Sequence, residues 1–434
     1  MNQPMKNVNE LIADLDSGAL DSLLESLYGA SAVALQKSRY RALLDRFAAT
    51  YGGDRSVVLC TVSGRSELSG NHTDHNHGCV IAASIDLDII AVAAANQDGV
   101  VRVSSEGFGD EAVVLSDTKK PDPALFGTSA SLIAGMCAGL SEAGYTVGGF
   151  DACMTSDVKG GSGLSSSAAY ENMIGVILSH LYNQGKVDVV EIAKLSQKAE
   201  NVYFGKPCGL MDQVACAVGG IVAIDFADPT APVIEPVPFD MTAAGYRLCI
   251  VHTGGSHADL TDEYAASPQE MKAVAAVFGK NVLREVDEAN VKNALPTLRE
   301  RLGDRAVLRA LHFFEENRRV ADQKAALTDG SAAALDRFFE GVRASGRSSF
   351  CYLQNVTVSG ESHEQGLALA LCLAESLLGK KGAFRVHGGG FAGTIQAFVP
   401  ADMTEDFKTA MDAAFGRGAC SVLRIRPVGA ARVC

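Results

Sequence analysis

The chain has 434 residues, of which 47% are hydrophobic and 21% are charged, and it contains no tryptophan. Its net charge of −13 argues against a broad nucleic-acid-binding surface, because such a surface needs a basic face. The length and composition predict two or three globular domains with substantial cores.

Eleven cysteines are scattered singly, without a C-x-x-C pair, which indicates reduced thiols better than a disulfide framework. The first ten residues, MNQPMKNVNE, lack the charged and then apolar pattern of a signal peptide. The most apolar run, Cys79–Ala95, carries Asp86 and Asp88 and is too polar for a good membrane span. We therefore expect a soluble, cytoplasmic and monomeric protein with no membrane or nucleic-acid partner.

Residues 1–50 predict a helical N-terminal extension. Apolar side chains recur at helical spacing in Leu23–Leu27 and again in Leu35–Phe47, and Gly52 and Gly53 end the pattern. No residue here suggests chemistry, so we expect these helices to pack on the domain formed by the next part of the chain.

A β-branched run, Val57–Val62, predicts a strand that leads into the densest polar stretch, SGRSELSGNHTDHNHG at residues 63–78. One interpretation is a metal site built from His72, Asp74, His75 and His77. The histidine spacing matches none of the usual zinc patterns. A second interpretation is a polyol-binding loop, because short Asn, His, Thr and Asp side chains can pair with sugar hydroxyls. A solvated turn is the third.

Further strands are predicted at Cys79–Ile85, Ile89–Ala94 and Val100–Ser104, and a helix at Ser129–Gly144. Residues 158–171, VKGGSGLSSSAAYE, then place glycines directly before a helix-forming run. Glycine lets the backbone approach a ligand closely, and the first amides of a helix point outward at the positive end of its dipole. This stretch therefore predicts a phosphate site, with a flexible linker as the alternative.

The Gly-rich stretch is not a Walker loop, because its nearby lysine, Lys159, precedes the glycines. Helices are predicted at Ala168–Tyr182 and Val190–Val202, and the run PCGLMDQVACAVGG comes after them. Asp212 lies in this apolar, glycine-flanked run, where a carboxylate is costly unless other groups hold it. It is either a helix-start residue or a catalytic base.

The pattern changes near residue 240, so we predict a first domain at 51–240 and a second at 241–434. The second half begins with a strand at Tyr246–Val251 and continues with long helices through residue 345. It ends with a helix at Ser362–Leu378 and a strand, glycine turn and strand at 384–399, FRVHGGGFAGTIQAFV.

Four motifs occur in order: GRSELSGNHTDHNHG, GGSGLSSSAAYE, CGLMDQ and GGGFAG. Together they resemble the galactokinase family, within the superfamily of galactokinase, homoserine, mevalonate and phosphomevalonate kinases, over about residues 55 to 434. The resemblance implies an α/β (α+β) kinase of two lobes. The first lobe would be like the second domain of a ribosomal protein and the second like a ferredoxin sandwich. The implied reaction moves the γ-phosphate of ATP to the anomeric hydroxyl of galactose.

By the same resemblance, Asp212 is the base that accepts the sugar proton, and Arg65 is its cationic partner. Ser167 and Glu200 would bind Mg²⁺, so ATP and Mg²⁺ are the implied cofactors. The implied sugar contacts are Asn71, His72, Asp74, Gly209 and Tyr264. The implied phosphate cradle is Gly160, Gly161, Ser162, Gly163, Leu164, Ser165, Ser166 and Ser167. Gly388–Gly390 would support the nucleotide loop, and the adenine pocket would lie between the two halves, near residues 105–135.

Four positions depart from the family pattern: the family has Glu at Asn71, Asn at Glu67, Tyr at His75 and Pro at Lys159. Because an amide donates as well as accepts, Asn71 would tolerate a sugar with a C6 carboxylate, such as galacturonate. The competing classes are a non-catalytic regulator that binds sugar and ATP, and a metal-dependent hydrolase that uses the histidines. A homoserine or mevalonate kinase fits less well, because the HTD and CGLMDQ motifs indicate the sugar branch.

Overall fold

The structure is a computed structural model, and it describes residues 4–107, 109–160, 163–254, 260–358, 360 and 363–434. These residues form two β-sheets, one of nine strands and one of four, with α-helices packed on them. None of the helices in these ranges is both long and apolar enough to cross a lipid bilayer.

Two long strands, β2 (Ser56–Ser69) and β3 (Cys79–Ala95), form the centre of the first sheet. Its other strands are β1 (Lys6–Asn7), β4 (Val100–Ser105), β5 (Gly109–Val114), β6 (Phe150–Ser156), β7 (Ile221–Asp225), β8 (Val233–Val237) and β13 (Ala431–Arg432). The order is β1-β2-β3-β6-β4-β5, with β13 beside β2 and the β7–β8 pair beside the first half of β3. All neighbours are antiparallel except β4 and β6.

These long strands correct two sequence predictions. The strand predicted at Val57–Val62 continues to Ser69, so much of the polar stretch lies in a buried strand and not in a loop. The two strands predicted between Cys79 and Ala94 are one, with Asp86 and Asp88 inside it. Buried partners for Asp88 compensate its charge, and the sequence pattern does not reveal them.

Helices cover both faces of the first sheet. They are α1 (Val8–Ser17), α2 (Asp21–Tyr28), α3 (Val33–Tyr51), α4 (Ser129–Glu142), α5 (Ser166–Tyr182), α6 (Val189–Lys198) and α7 (Met211–Val218). Because successive strand residues point to opposite faces, Val57 and Leu59 of β2 pack with α1–α3, whereas Val58 and Cys60 pack with α4–α6.

The second sheet has the antiparallel order β10-β11-β9-β12. In chain order, the strands of this sheet and the helices of the same half are β9 (Tyr246–His252), α8 (Thr261–Val277), α9 (Glu288–Asn293), α10 (Leu295–Asp329), α11 (Ala332–Ser348), α12 (Gly366–Leu378), β10 (Ala383–Val386), β11 (Thr394–Pro400), α13 (Thr404–Phe415) and β12 (Cys420–Leu423). The strands and helices therefore follow the βαββαβ plan of a ferredoxin-like sandwich, which confirms the predicted mixed α/β fold. Helix α12 begins at Gly366, later than predicted, and Ser362 lies outside the described residues.

The domain boundaries at residues 50/51 and 240/241 stay a prediction. Helix α3 ends at Tyr51, and the connection between the two sheets runs from Val237 to Tyr246. The end of the chain, however, returns to the first sheet, where β13 pairs with β2. We therefore propose the division into 1–50, 51–240 and 241–434, with the exception of the last strand, β13, which belongs to the first sheet.

A fully buried carboxylate, Asp88, joins the N-terminal helices to the rest of the fold. Its oxygens accept hydrogen bonds from Arg39 of α3 at 2.6 Å and from Arg426, near the C-terminus, at 2.7 Å. Tyr28 of α2 donates at 2.5 Å, and Thr61 of β2 also donates. Burial alone would raise the pKa of Asp88, but Arg39 and Arg426 hold it below its usual range. The predicted extension thus contributes charged groups to the interior.

We expect Asp88→Asn to lower the free energy of unfolding by about 3–5 kcal/mol, because the variant leaves the buried Arg426 guanidinium without its counter-charge and leaves Arg39 with Asp157 alone. Since folding lowers the pKa of Asp88, its contribution is present above pH ~4 and is lost as the pH falls below that value. Urea unfolding at pH 7 measures the difference. Asp45→Asn is the control, because Asp45 pairs with Arg41 at the exposed surface. Equal stability of the two variants would contradict the role of Asp88.

Candidate active site

Strand β2 and helix α7 bring Arg65 and Asp212 together in a two-pronged ion pair. The Arg65 Nε atom donates to Asp212 Oδ1 and Nη2 donates to Oδ2, each at 2.7 Å. Asp212 is the second residue of α7, as the helix-start interpretation predicts, but its side chain makes no capping bond. The carboxylate is instead paired, and about a third of it stays exposed.

The environment of Asp212 keeps it ionised. Burial would raise its pKa, but the guanidinium of Arg65 and the hydroxyl of Ser165 hold the pKa below the usual range of an aspartate. A carboxylate that is ionised, partly exposed and fixed in orientation is suited to accept a proton from a bound hydroxyl.

The Gly-rich stretch opens helix α5, as predicted, although the helix begins at Ser166, two residues before the predicted Ala168. Ser165 adopts a left-handed backbone with φ of +62° and donates from its hydroxyl to Asp212 Oδ2 at 2.5 Å. Arg65 holds the same loop, because its Nη1 donates to the Gly163 carbonyl and its backbone N–H donates to the Leu164 carbonyl at 3.1 Å. The predicted phosphate loop and the predicted base are therefore in direct contact. Gly161 and Ser162 lie outside the described residues.

Ser167 and Glu200, the predicted Mg²⁺ ligands, lie beside the start of α5. The Ser167 hydroxyl donates to Glu200 Oε1 at 3.2 Å, and Lys206 donates to the same oxygen at 3.1 Å. Gln213 donates to the other carboxylate oxygen at 2.8 Å. A hydroxyl and a single carboxylate next to a phosphate loop fit Mg²⁺, which usually takes one or two carboxylates and completes its shell with phosphates and water.

The histidine-rich stretch does not form a metal centre. Within the described residues, no group of three or more His, Cys, Asp or Glu side chains is placed to hold a metal ion. The spacing of His72, His75 and His77 already matched no zinc pattern, and the structure directs the His72 ring to a backbone carbonyl. The histidine-based hydrolase thus has no supporting metal group in the described part of the chain.

A cavity of about 240 Å³ adjoins Ser166 and Ser167. Ile89, Leu132 and Tyr170 give it apolar walls, and its lining comes from residues 89–204. The expected region 105–135 contributes Ser105, Glu106, Gly127 and Ser129. The cavity therefore lies within the first half of the chain, and the adenine pocket expected between the two halves, near residues 105–135, stays a prediction.

Asp74 and Gly209 meet at a close approach of two chain segments. A methyl group at Gly209 would lie 2.1 Å from Asp74 Oδ2, so this contact requires glycine. The His75 ring lies 4.0 Å from the Asp74 carboxylate. Gly209 lies three residues before Asp212. The contact with Gly209 therefore places the Asp74 carboxylate beside the chain segment that carries the candidate base.

Asn71 does not present its side chain to a ligand. The residue is fully buried, and its amide donates to Glu67 Oε1 at 3.1 Å and to the Gly388 carbonyl at 2.7 Å. Its oxygen accepts from Asn355 at 2.8 Å and from Ser349 at 3.2 Å. Because all of its hydrogen-bonding capacity is used, the prediction that Asn71 contacts the sugar is corrected: it joins β2 to the second half of the chain.

The glycine triplet Gly388–Gly390 packs against the sugar-motif residues. His72 Nε2 lies 2.8 Å from the Gly389 carbonyl, and the Tyr264 hydroxyl donates to the Gly390 carbonyl at 3.0 Å. A methyl group at Gly389 would lie 2.3 Å from the Tyr264 ring, which explains the glycine. The described contacts join this triplet to two predicted sugar contacts, His72 and Tyr264, and its predicted support of the nucleotide loop stays a prediction.

Two charged residues near the site, Glu67 and Arg385, were given no role by the sequence. Arg385 is fully buried and donates to Glu67 Oε1. One signal was present, since an arginine inside the apolar strand preceding a glycine triplet needs a buried acceptor. The identity of that acceptor, 318 positions away, is not visible in the sequence.

The comparisons with known proteins agree with this geometry. The family model of the GHMP kinases N terminal domain matches residues 131–220, and the galactokinase galactose-binding signature matches residues 45–95. A galactokinase of Streptomyces coelicolor is 31% identical over 88% of this chain and 94% of its own length. One from Mycobacterium bovis is 32% identical over 86% and 98%.

Among solved structures, the galactokinase of Lactococcus lactis complexed with galactose matches with a TM-score of 0.76 and 26% identity. The match covers 89% of this chain and 98% of that one. The paired Arg65 and Asp212, the loop that contacts them and these relatives lead to one conclusion: the chain belongs to the galactokinase family of the GHMP kinases and is an ATP-dependent sugar kinase.

Proposed function

We propose that this chain transfers the γ-phosphate of ATP to the anomeric hydroxyl of galactose, giving galactose 1-phosphate and ADP. The observation that supports this most is the Arg65–Asp212 pair, held by Ser165 at the start of the phosphate loop helix. Relatives of this family are named galactokinases, and one was solved with galactose bound.

In the proposed reaction, the C1 hydroxyl gives its proton to Asp212 as its oxygen bonds to the γ-phosphorus. The bond between that phosphorus and the β,γ-bridging oxygen breaks, and ADP leaves with the electron pair. Arg65 holds Asp212 ionised and places positive charge beside the loop where negative charge is transferred. The N-terminal amides of α5 and the Gly160–Ser167 stretch hold the phosphates, and Asp74, Gly209, His72 and Tyr264 shape the sugar site.

Ser167 and Glu200 are the proposed Mg²⁺ ligands, and the ion would offset negative charge on the ATP phosphates. Lys206 already contacts Glu200, so its ammonium competes with a cation at this carboxylate. We also propose a monomer in a reducing cytoplasm, which suits eleven cysteines that are all free thiols.

We expect Lys206→Gln to lower the Mg²⁺ concentration for half-maximal activity about fivefold. Removing one charge at about 4 Å in a water-like medium changes the interaction by ~1 kcal/mol, and 63% of the Lys206 side chain is exposed. Magnesium titrations at saturating ATP and sugar measure the effect. Lys198→Gln removes a surface pair with Glu142 and is the control. An unchanged or raised requirement for Mg²⁺ in Lys206→Gln would place the ion elsewhere.

The function is tested by a coupled ADP-release assay with Mg-ATP over galactose, talose, 2-deoxygalactose, N-acetylgalactosamine, galacturonate, glucose and arabinose. We expect galactose to have the highest kcat/KM. Galacturonate is expected to react poorly, because Asp74 and Glu67 make the proposed sugar site acidic and Asn71 has no free donor. ADP release with none of the galactose-configured sugars would exclude the proposed function, and sugar binding without turnover would favour a regulator.

A further inference from the structure

Glu67 is a buried carboxylate on the same face of β2 as Arg65. The two residues are separated by one position, and alternate residues of a strand point to the same side of a sheet. Only 4% of Glu67 is exposed, and its negative charge lies near enough to Arg65 and Asp74 for each to influence it. Glu67 therefore lies beside Arg65 and Asp74, which are proposed to act in phosphate transfer and in sugar binding.

The contacts of Glu67 are uneven between its two oxygens. Oε1 accepts from the Arg385 guanidinium and from the Asn71 amide. No hydrogen bond reaches Oε2 from the described residues, although only 6% of the side chain is exposed. Oε2 is therefore left for a group from outside the protein, and a hydrogen-bond donor that arrived there would be stabilised in these nearly buried surroundings.

The groups behind Glu67 fix its orientation. Arg385 is fully buried and also donates to the carbonyls of Val386 at 2.9 Å and Leu68 at 3.4 Å. Asn71 is equally immobile, because its side chain is fully hydrogen-bonded within the protein. A carboxylate held from one side only, with the other oxygen open, is a preorganised acceptor.

We propose that Glu67 determines sugar specificity: its open oxygen accepts a hydrogen bond from a sugar hydroxyl other than the one that is phosphorylated. This rests on the proposed function, since it gives the same site a further contact. Arg385 and Asn71 act as positioning residues. The acceptor favours a neutral hydroxyl over a carboxylate at the position it contacts, and it supplies the recognition that Asn71 cannot.

The test measures binding and turnover separately for the wild type and Glu67→Gln. Calorimetry gives Kd for galactose and for its 2-, 3-, 4- and 6-deoxy derivatives, and the ADP-release assay gives kcat. We expect one deoxy sugar to bind the wild type at least tenfold more weakly than galactose, but to bind Glu67→Gln within threefold of galactose. We also expect Glu67→Gln to raise KM for galactose about tenfold, with kcat changed by less than threefold.

A purely structural role for Glu67 predicts a different pattern. Binding of every sugar would then weaken by the same factor, or kcat would fall as much as kcat/KM, and either result would overturn the inference. Glu235→Gln, at an exposed position of β8, is the matched control. If Glu67→Gln does not fold in thermal unfolding, Glu67→Asp keeps the charge but moves the oxygens, and the same single-hydroxyl effect is expected.

The two proposals fail separately. Turnover of galactose by the wild type, together with no hydroxyl-specific effect in either Glu67 variant, would remove the role of Glu67 and leave the kinase function intact. A hydroxyl-specific effect on binding without any ADP release would support the sugar contact and exclude the proposed reaction.

Discussion

Replacing Asp212 with asparagine is expected to lower kcat for galactose about 10³-fold, because the proposed general base is lost while the shape of the site is kept. The asparagine oxygen can still accept from Arg65, but the side chain can no longer take the proton of the C1 hydroxyl. KM and the Kd for galactose are expected to change little, since binding does not depend on that proton transfer. Initial rates of ADP release give kcat and KM, and calorimetry gives the Kd for galactose.

The control for this variant is Asp228→Asn, an exposed aspartate in the turn between β7 and β8. It should retain wild-type kcat. Thermal unfolding of Asp212→Asn shows whether the fold is kept. A kcat within tenfold of the wild type would contradict the assignment of Asp212 as the base.

Arg65→Gln is expected to lower kcat/KM at pH 7 at least 10²-fold, on the order of the loss when one preorganised charge-stabilising donor is removed. The variant removes the bidentate bond to Asp212 and the bond to the Gly163 carbonyl, so it disturbs the base and the phosphate loop together. Arg65→Lys should recover only a small part of the activity. A lysine ammonium cannot reproduce a planar fork that donates to both carboxylate oxygens.

The pH profile distinguishes the electrostatic role of Arg65 from a general loss of structure. In the wild type Arg65 holds the pKa of Asp212 low, so the base is ionised throughout the neutral range. Without Arg65, burial raises the pKa of Asp212 and only Ser165 and Lys206 oppose that shift. The acid limb of kcat/KM should therefore move to higher pH in Arg65→Gln, with activity returning as the pH rises.

An unchanged acid limb in Arg65→Gln would contradict this role, even if activity is low. The measurement uses initial rates from about pH 5 to 9 at sugar concentrations well below KM. Arg41→Gln, at the exposed Arg41–Asp45 pair of α3, is the matched control and should keep both the rate and the profile of the wild type.

Local patterns in the sequence predict much of this molecule. The glycines before α5 and the apolar run after them predict a loop that opens a helix, and α5 begins at Ser166, two residues before the predicted start. The carboxylate of Asp212 in an apolar run indicates a partner, and Arg65 is that partner. These features are readable because each depends on backbone preferences or on charge within a short segment.

The sequence is less informative where contacts with distant parts of the chain determine the surroundings of a residue. Asn71 looks like an exposed polar residue of a loop, yet Asn355 and Ser349, almost 300 positions away, bury it and use its hydrogen-bonding capacity. The support that Gly388–Gly390 would give the nucleotide loop stays a prediction, and the sequence does not show that their described contacts join them to His72 and Tyr264. Spacing along the chain cannot reveal which distant side chain fills a given position.

The most direct test of the central proposal is the identity of the product. Wild-type protein is incubated with Mg-ATP and galactose, and the sugar product is assigned by phosphorus and proton NMR. We expect galactose phosphorylated on the anomeric oxygen, formed in step with ADP and about 10³-fold more slowly with Asp212→Asn. Phosphate on another oxygen, or ADP formed without any sugar phosphate, would contradict the proposed reaction.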